Sequence, residues 1–237
     1  MIVPPIVYQL AGAFMLEIWQ LDKELWFPSP NLALKEPNGL LAFGGDLSAK
    51  RLLLAYQNGI FPWFNEGEPP LWWSPAPRMV LYPNTIKISR SLNKRLKRNE
   101  FQCSFDTCFS EVIKQCSSLR QATTGTWITP EMQHAYNQLH QQGHAHSVEI
   151  WQNEQLVGGL YGLALGGIFF GESMFSTVSD ASKVALVKLS LHLQEKGFSL
   201  IDCQVYTQHL ASLGAQEISR ELFLSTLAEA TSADIHF

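Results

Sequence analysis

The sequence predicts a mixed α/β protein: a small, loop-rich N-terminal domain, residues 1–76, and a larger domain, 77–237, in which strands and helices alternate. Three observations carry this. Turn residues crowd the first third, at Phe27-Pro28-Ser29-Pro30, Glu36-Pro37-Asn38-Gly39 and Gly44-Gly45-Asp46. The prolines of Trp73-Ser74-Pro75-Ala76-Pro77 then mark a boundary near residue 76. Beyond it, residues 168–206 read strand, helix, strand. Such a crossover makes its two strands parallel and is almost always right-handed.

Within the N-terminal domain a single helix is legible. Ser48 is its N-cap, Leu52, Leu53, Ala55 and Tyr56 form its apolar face, and Gly59 stops it. After the boundary, a basic helix is expected over about 89–98 and a second over about 106–119 with Asp106 as its cap. A third starts at Thr129-Pro130, with Met132, Ala135, Tyr136 and Leu139 on one face and Gly143 after it. Strand signals at 147–152 and from 155 onward flank a turn at Asn153-Glu154. Residues 168–174 read as another strand. Ser179 or Asp180 caps a helix to Lys196, Gly197 ends it, and 198–206 is a further strand.

Composition narrows the function classes. Apolar residues make up 46% and charged residues 16%, which excludes a disordered, charge-extended chain. A net charge of −4 excludes a globally basic nucleic-acid coat but leaves room for a local patch. No apolar run reaches the roughly 18 residues of a membrane helix. Residues 1–16 are apolar, but they lack a basic leader and carry Pro4-Pro5, so they read as neither signal nor anchor. Residues 1–14 could be a start-site extension ahead of Met15. Cys103, Cys108, Cys116 and Cys203 form no C-x-x-C pair, which argues against zinc and fits a reduced, cytoplasmic protein.

Chemistry concentrates at the carboxyl ends of the two parallel strands, where sites in such sheets gather. In Leu200-Ile201-Asp202-Cys203-Gln204-Val205, strict alternation puts Ile201, Cys203 and Val205 on an apolar face and Asp202 with Gln204 on the other. An acid and an amide inside an apolar strand need partners. They form either a structural hydrogen-bond network or an amine-positioning pair, in which Gln204 accepts from an attacking N–H and Asp202 orients the amide. Glu172 follows Ile168-Phe169-Phe170 and so stands beside an apolar wall. Backbone N–H groups could satisfy it, or it could meet an amine substrate. The glycines at 158, 159, 162, 166 and 167 permit close approach of a ligand or mark bulges.

Two further features point to RNA. Trp63, Trp72, Trp73 and Trp127 lie in or beside Pro- or Gly-containing loops, where they could fill core or stack on a base. Arg90, Lys94, Lys97 and Arg98 fall at i, i+4, i+7 and i+8 and share a helix face. Against an acidic average, that stripe suits either solvent or a phosphate backbone. His144 and His146 lack a third metal ligand, and Cys203 with His209 makes a poor nucleophile pair because Cys203 turns to the apolar face. No phosphate-binding G-x-x-x-x-G-K-[ST] or strand-bound G-x-G-x-x-G occurs, so any bond-forming step uses a pre-activated donor.

Longer stretches carry a resemblance. They include Glu36-Pro37-Asn38-Gly39-Leu40-Leu41-Ala42, Gly59-Ile60-Phe61-Pro62-Trp63-Phe64, Leu71-Trp72-Trp73-Ser74-Pro75 and Gly125-Thr126-Trp127-Ile128-Thr129. Further on come Gly143-His144-Ala145-His146-Ser147, Gly171-Glu172-Ser173-Met174-Phe175-Ser176, Ala181-Ser182-Lys183, Ile201-Asp202-Cys203-Gln204-Val205 and Ala211-Ser212-Leu213-Gly214-Ala215. In this order, over residues 27–220, the chain resembles the leucyl/phenylalanyl-tRNA–protein transferases.

The resemblance implies an N-acetyltransferase-like (GNAT-like) C-terminal domain with a small N-terminal domain packed on it. It implies transfer of Leu or Phe from leucyl-tRNA or phenylalanyl-tRNA to proteins with N-terminal Arg or Lys, marking them for degradation through the bacterial N-degron route. No metal, coenzyme or membrane is implied. Residue by residue, it gives Tyr56, Trp63 and Trp127 as contacts to the aminoacyl-adenosine. Leu160, Phe169, Met174 and Leu186 match the side-chain pocket, with Leu160 standing where a close relative has Met. Glu172, Asp202 and Gln204 match positions tied to acceptor binding and amine activation. Arg90, Lys94, Lys97 and Arg98 match a basic cluster for the acceptor stem. Thr207 departs from the Asn that relatives often carry there.

An apolar pocket discriminates a methylene by only about 1–3 kcal/mol, so weaker Met transfer is expected, and β-branched Ile and Val should fit worse. The alternative is an acyl-CoA-dependent N-acetyltransferase, faintly echoed in Gln155-Leu156-Val157-Gly158-Gly159-Leu160. There the last position is Leu, and strand signal follows where a phosphate loop should open a helix. A non-enzymatic RNA-binding module would leave the acid-bearing apolar strands unexplained.

Overall fold

The structure is a computed structural model that describes residues 6–10, 14–121 and 126–237. Of the segment 1–14, residues 1–5 and 11–13 lie outside the described residues, as does Gly125 of the 125–129 motif.

Two sheets organise the chain. The first contains β1 (Ile6–Leu10), β2 (Phe14–Leu21), β3 (Leu40–Gly44), β4 (Phe61–Pro62) and β5 (Leu71–Trp73), in the order β1-β2-β3-β5-β4. Helix α1 (Ala49–Gln57) lies between β3 and β4 in sequence. The second sheet takes β6 (Arg78–Leu81), then β7 (Gln102–Phe105) after helix α2 (Arg90–Lys97). Helices α3 (Phe109–Gln121) and α4 (Pro130–Gln141) precede the meander β8 (Ala145–Gln152), β9 (Gln155–Leu165) and β10 (Ile168–Ser176). Helix α5 (Ala181–Glu195) crosses to β11 (Leu200–Gln204), followed by α6 (Gln208–Ser212), β12 (Gln216–Ile218) and α7 (Arg220–Thr231). The order is β12-β6-β11-β10-β9-β8-β7, with β10 and β11 parallel and their neighbours antiparallel. This is the mixed α/β fold that the sequence predicts.

Local chemistry explains most helix starts. Ser48, Ser89, Thr129, Thr207 and Ser219 each accept from the backbone N–H three residues on, at the first turns of α1, α2, α4, α6 and α7. Asp106 is not a cap. It sits at φ +55, and its carboxylate accepts from Ser147 N–H and His146 Nδ1 at 2.8 Å each, so the helix starts later, at Phe109. Asp180 precedes α5 at φ +66 without a capping bond and pairs with Lys183 instead.

Both faces of the second sheet are covered, so its strands run apolar on each side. Phe169 points into the layer packed by Val184, Leu186 and Leu189 of α5. Its neighbour Phe170 points into the layer shared with Val112 of α3, Tyr136 of α4 and Tyr56 of α1. Gly162 is required by this packing, since a Cβ there would lie 2.2 Å from the Phe170 carbonyl oxygen and 2.5 Å from the Phe169 ring. At this position the glycine serves strand contact rather than ligand approach. Residues 155–160 are strand, so the echo of a phosphate loop has no structural counterpart.

Candidate active site

The register of β10 against β9 shifts between Gly171 and Ser173, and that of β11 against β6 shifts between Asp202 and Gln204. Phe170 pairs with Asp202, so both irregularities fall at one level, just past the last paired residues of the parallel pair. A cavity of about 390 Å³ opens there. Leu160 of β9, Met174 of β10, Leu186 and Leu189 of α5, and Ile201 of β11 supply its apolar wall. Trp63 and Trp127 also line it, Trp63 remaining 48% exposed and tilted against Trp73 at 5.6 Å. The volume suits a small ligand.

Glu172 is the only carboxylate among the described lining residues. Tyr56 Oη lies 2.6 Å from its Oε1 and Tyr136 Oη 3.0 Å from its Oε2, each phenol with one proton to give, and the two phenol oxygens also touch each other. Burial pushes the Glu172 carboxyl up to about 7, with the nearby Asp202 charge adding to that and the two phenols pulling it back. Both tyrosines are pushed well above the ordinary phenol range, first by burial and then by the Glu172 charge, so they remain donors. A carboxylate poised near neutrality at a cavity wall can hold or take a proton from an amine.

Gln204 arrives by a different device. Its backbone is left-handed, at φ +58, which ends the strand alternation. The side chain therefore reaches the cavity together with Ile201 and Cys203 instead of sharing a face with Asp202. Its Nε2 donates to the Asp202 carbonyl oxygen at 3.3 Å and to Oδ2 at 3.4 Å. That leaves the Gln204 carbonyl oxygen as an acceptor at the cavity. Asp202 itself is fully buried and does not line the cavity. Its Oδ1 accepts from Arg78 Nε at 2.8 Å and its Oδ2 from Arg78 Nη2 at 2.7 Å.

Trp63, Trp127, Leu160, Met174, Leu186, Glu172 and Gln204 all line one cavity. Three expectations change. Tyr56 is fully buried and touches Glu172 rather than the cavity, because α1 turns that face into the core against Phe170. Phe169 is also fully buried, under α5 one step before the end of the strand, while the Gly171–Ser173 irregularity brings Met174 onto the same α5-side layer, where it lines the cavity. Asp202 lies behind the wall, fully buried. Arg90, Lys94, Lys97 and Arg98 are exposed on or at the end of α2, whose Leu92 is buried.

Two residues of the site escape a reading of the sequence. Tyr136 is visible there only as one member of an apolar helix face, although a buried phenol always needs a partner. Arg78 heads the apolar run Met79-Val80-Leu81, and a charge at that place is a signal that a partner lies elsewhere in the chain. Cys203 lines the cavity, but burial pushes its thiol far up, away from nucleophilic use. Among the described residues no cluster of His, Cys, Asp and Glu is placed to hold a metal ion. No described helix is long and apolar enough to cross a membrane.

Among the described residues no lysine or arginine lines this cavity. Its apolar wall, single carboxylate and oriented amide suit an acyl group and an amine: the fold and site define an acyl-group transferase. Residues 80–228 match the model of the leucyl/phenylalanyl-tRNA protein transferases and residues 45–76 that of their N-terminal domain. The chain is 60% identical to the leucyl/phenylalanyl-tRNA–protein transferase of Nitrosomonas eutropha, covering 86% of this chain and 88% of that one. It is 56% identical to that of Chromobacterium violaceum, over 88% and 90%. The chain belongs to the leucyl/phenylalanyl-tRNA–protein transferase family and is an aminoacyltransferase.

Solved structures are more distant. An aminoglycoside acetyltransferase from an uncultured soil metagenomic sample is 15% identical over 59% of this chain and 95% of that one, with a TM-score of 0.38. L-PGS from Bacillus licheniformis is 13% identical over 72% and 57%, with a TM-score of 0.38.

Proposed function

We propose that this enzyme moves Leu or Phe, and Met more weakly, from aminoacyl-tRNA to the α-amino group of proteins that begin with Arg or Lys. In this reading it works in the cytoplasm and marks its products for the bacterial N-degron route. The observation that carries it is the cavity in which an apolar wall, Glu172 and the Gln204 carbonyl oxygen converge.

Leu160, Met174 and Leu186 take the Leu or Phe side chain, while Trp63 and Trp127 meet the terminal adenosine. The ester is already activated, so catalysis reduces to placing the amine and managing protons. The amine nitrogen attacks the ester carbonyl, an N–C bond forms, and the bond from that carbon to the ribose oxygen breaks. The nitrogen loses a proton and the leaving ribose oxygen gains one. The Gln204 carbonyl oxygen accepts an N–H of the attacking amine, and Glu172, fixed by Tyr56 and Tyr136, attracts the ammonium form and holds the amine at the cavity. Asp202 orients Gln204 rather than touching substrate. On the outside, Arg90, Lys94, Lys97 and Arg98 track acceptor-stem phosphates.

The test is transfer of radiolabelled Leu from charged tRNA to a peptide beginning with Lys or Arg. Label should appear on that peptide and not on one beginning with Ala. Labelling from acetyl-CoA without transfer from tRNA would overturn the reading.

A further inference from the structure

Arg78 is 1% exposed and holds no direct line to the cavity. Its guanidinium lies between two aromatic rings, 4.9 Å from the Phe61 centroid and 4.6 Å from that of Phe223. Phe61 comes from β4 of the first sheet and Phe223 from α7, so two elements outside the strand pair fix the cation. From this clamp it delivers two parallel bonds to Asp202, the geometry in which Arg and carboxylate specify each other most tightly.

The same Asp202 oxygen that receives Arg78 Nε also accepts the Gln204 backbone N–H at 3.0 Å. That N–H belongs to a non-glycine residue in left-handed backbone, a conformation that persists only where its surroundings enforce it. Remove the enforcing contact and the strand is free to resume its alternation, which would turn Gln204 toward the opposite face. Placement points the same way: an acid with both oxygens held by a guanidinium, and off the cavity wall, serves as a template.

We infer that Arg78 is a positioning residue for aminoacyl transfer. Clamped by Phe61 and Phe223, it fixes Asp202 so that Asp202 holds the bulged Gln204 backbone and amide with the carbonyl oxygen at the attacking amine. Arg78 itself touches no substrate. The inference rests on the role proposed above for Gln204.

Arg78→Lys tests this, because it keeps the charge and loses the paired bonds. Its kcat should fall roughly 10²-fold, the usual consequence of misplacing a reacting group by about an ångström, while KM for leucyl-tRNA stays within about twofold. Gln204→Ala should lose a similar factor, and the double variant no more than either single one. Asp202→Asn, which preserves shape, should behave like Arg78→Lys. Losses that multiply in the double variant, or a KM that rises with the fall in kcat, would overturn the inference. So would failure of both Arg78→Lys and Asp202→Asn to fold, since the pair would then be structural. Absence of transfer by the unaltered enzyme would instead strike the proposed function.

Discussion

Tyr56 and Glu172 are 116 positions apart, and the phenol of one donates to the carboxylate of the other at 2.6 Å. This bond favours the charged carboxylate against a burial that opposes it. Tyr56→Phe removes the donor, so the Glu172 carboxyl should rise beyond about 7 and spend more time protonated at neutral pH. The acidic limb of the kcat profile should move upward by about half a pH unit to one unit. Activity lost at pH 7 should return largely by about pH 8.5. Tyr136→Phe should act in the same direction. A limb that stays in place would separate Glu172 from the ionisation that limits turnover.

Stability should register the same carboxyl. Its folded-state value of about 7 lies above the ordinary 4.5. Below 4.5 it is protonated in both states, so no cost arises. Between 4.5 and about 7 the unfolded chain releases its proton first, the folded state binds more protons, and stability falls as pH rises. Since the group borders an open cavity, the loss should be on the order of 1–2 kcal/mol, complete above about pH 7. Denaturant unfolding on either side of this window, at about pH 5 and about pH 8, should show this component in the unaltered enzyme and not in Glu172→Gln.

Substrate choice should follow the wall of the cavity. Leu160→Phe adds bulk beside Met174 and Leu186, and that bulk excludes the larger substrate side chain first. The ratio of kcat/KM for Leu over Phe should rise by roughly tenfold, within the range that a few apolar atoms provide. Competition between differently labelled leucyl-tRNA and phenylalanyl-tRNA reads this ratio directly.

The basic stripe makes a separate prediction. Arg90 and Lys97 are exposed, so Arg90→Ala with Lys97→Ala should leave the melting temperature unchanged. tRNA binding should weaken, and the slope of log affinity against log salt should flatten by about 1–2. A filter-binding series over several salt concentrations would show it. An unaltered slope would place the RNA path on another surface.

Much of the molecule is legible in the sequence, and the reasons are local. Ser48 and Thr129 announce their helices because the capping side chain lies three residues from the N–H it serves. Residues 168–206 spell a crossover through one apolar period followed by another. The faces at the site are harder to read. Alternation assigns Gln204 and Asp202 to one side, and a single bulged residue separates them. That bulge is held through Arg78, which lies 124 positions from Asp202, beyond the reach of any local window of sequence. A register shift at Gly171–Ser173 likewise brings Met174 onto the face of Phe169, from which alternation alone would separate it, and leaves Phe169 deeper under the helix. Tyr56 falls in the right neighbourhood but in the wrong layer, because helical periodicity reports a buried face without saying what lies beneath it.

Phe61 reaches Arg78 from the first sheet, Tyr56 reaches Glu172 from the helix beside it, and Trp63 stands at the opening. The seam between the two sheets therefore runs along the cavity itself. Neither half, expressed separately, would contain a complete apparatus, and a small slip along that seam would be felt in turnover well before it was felt in melting.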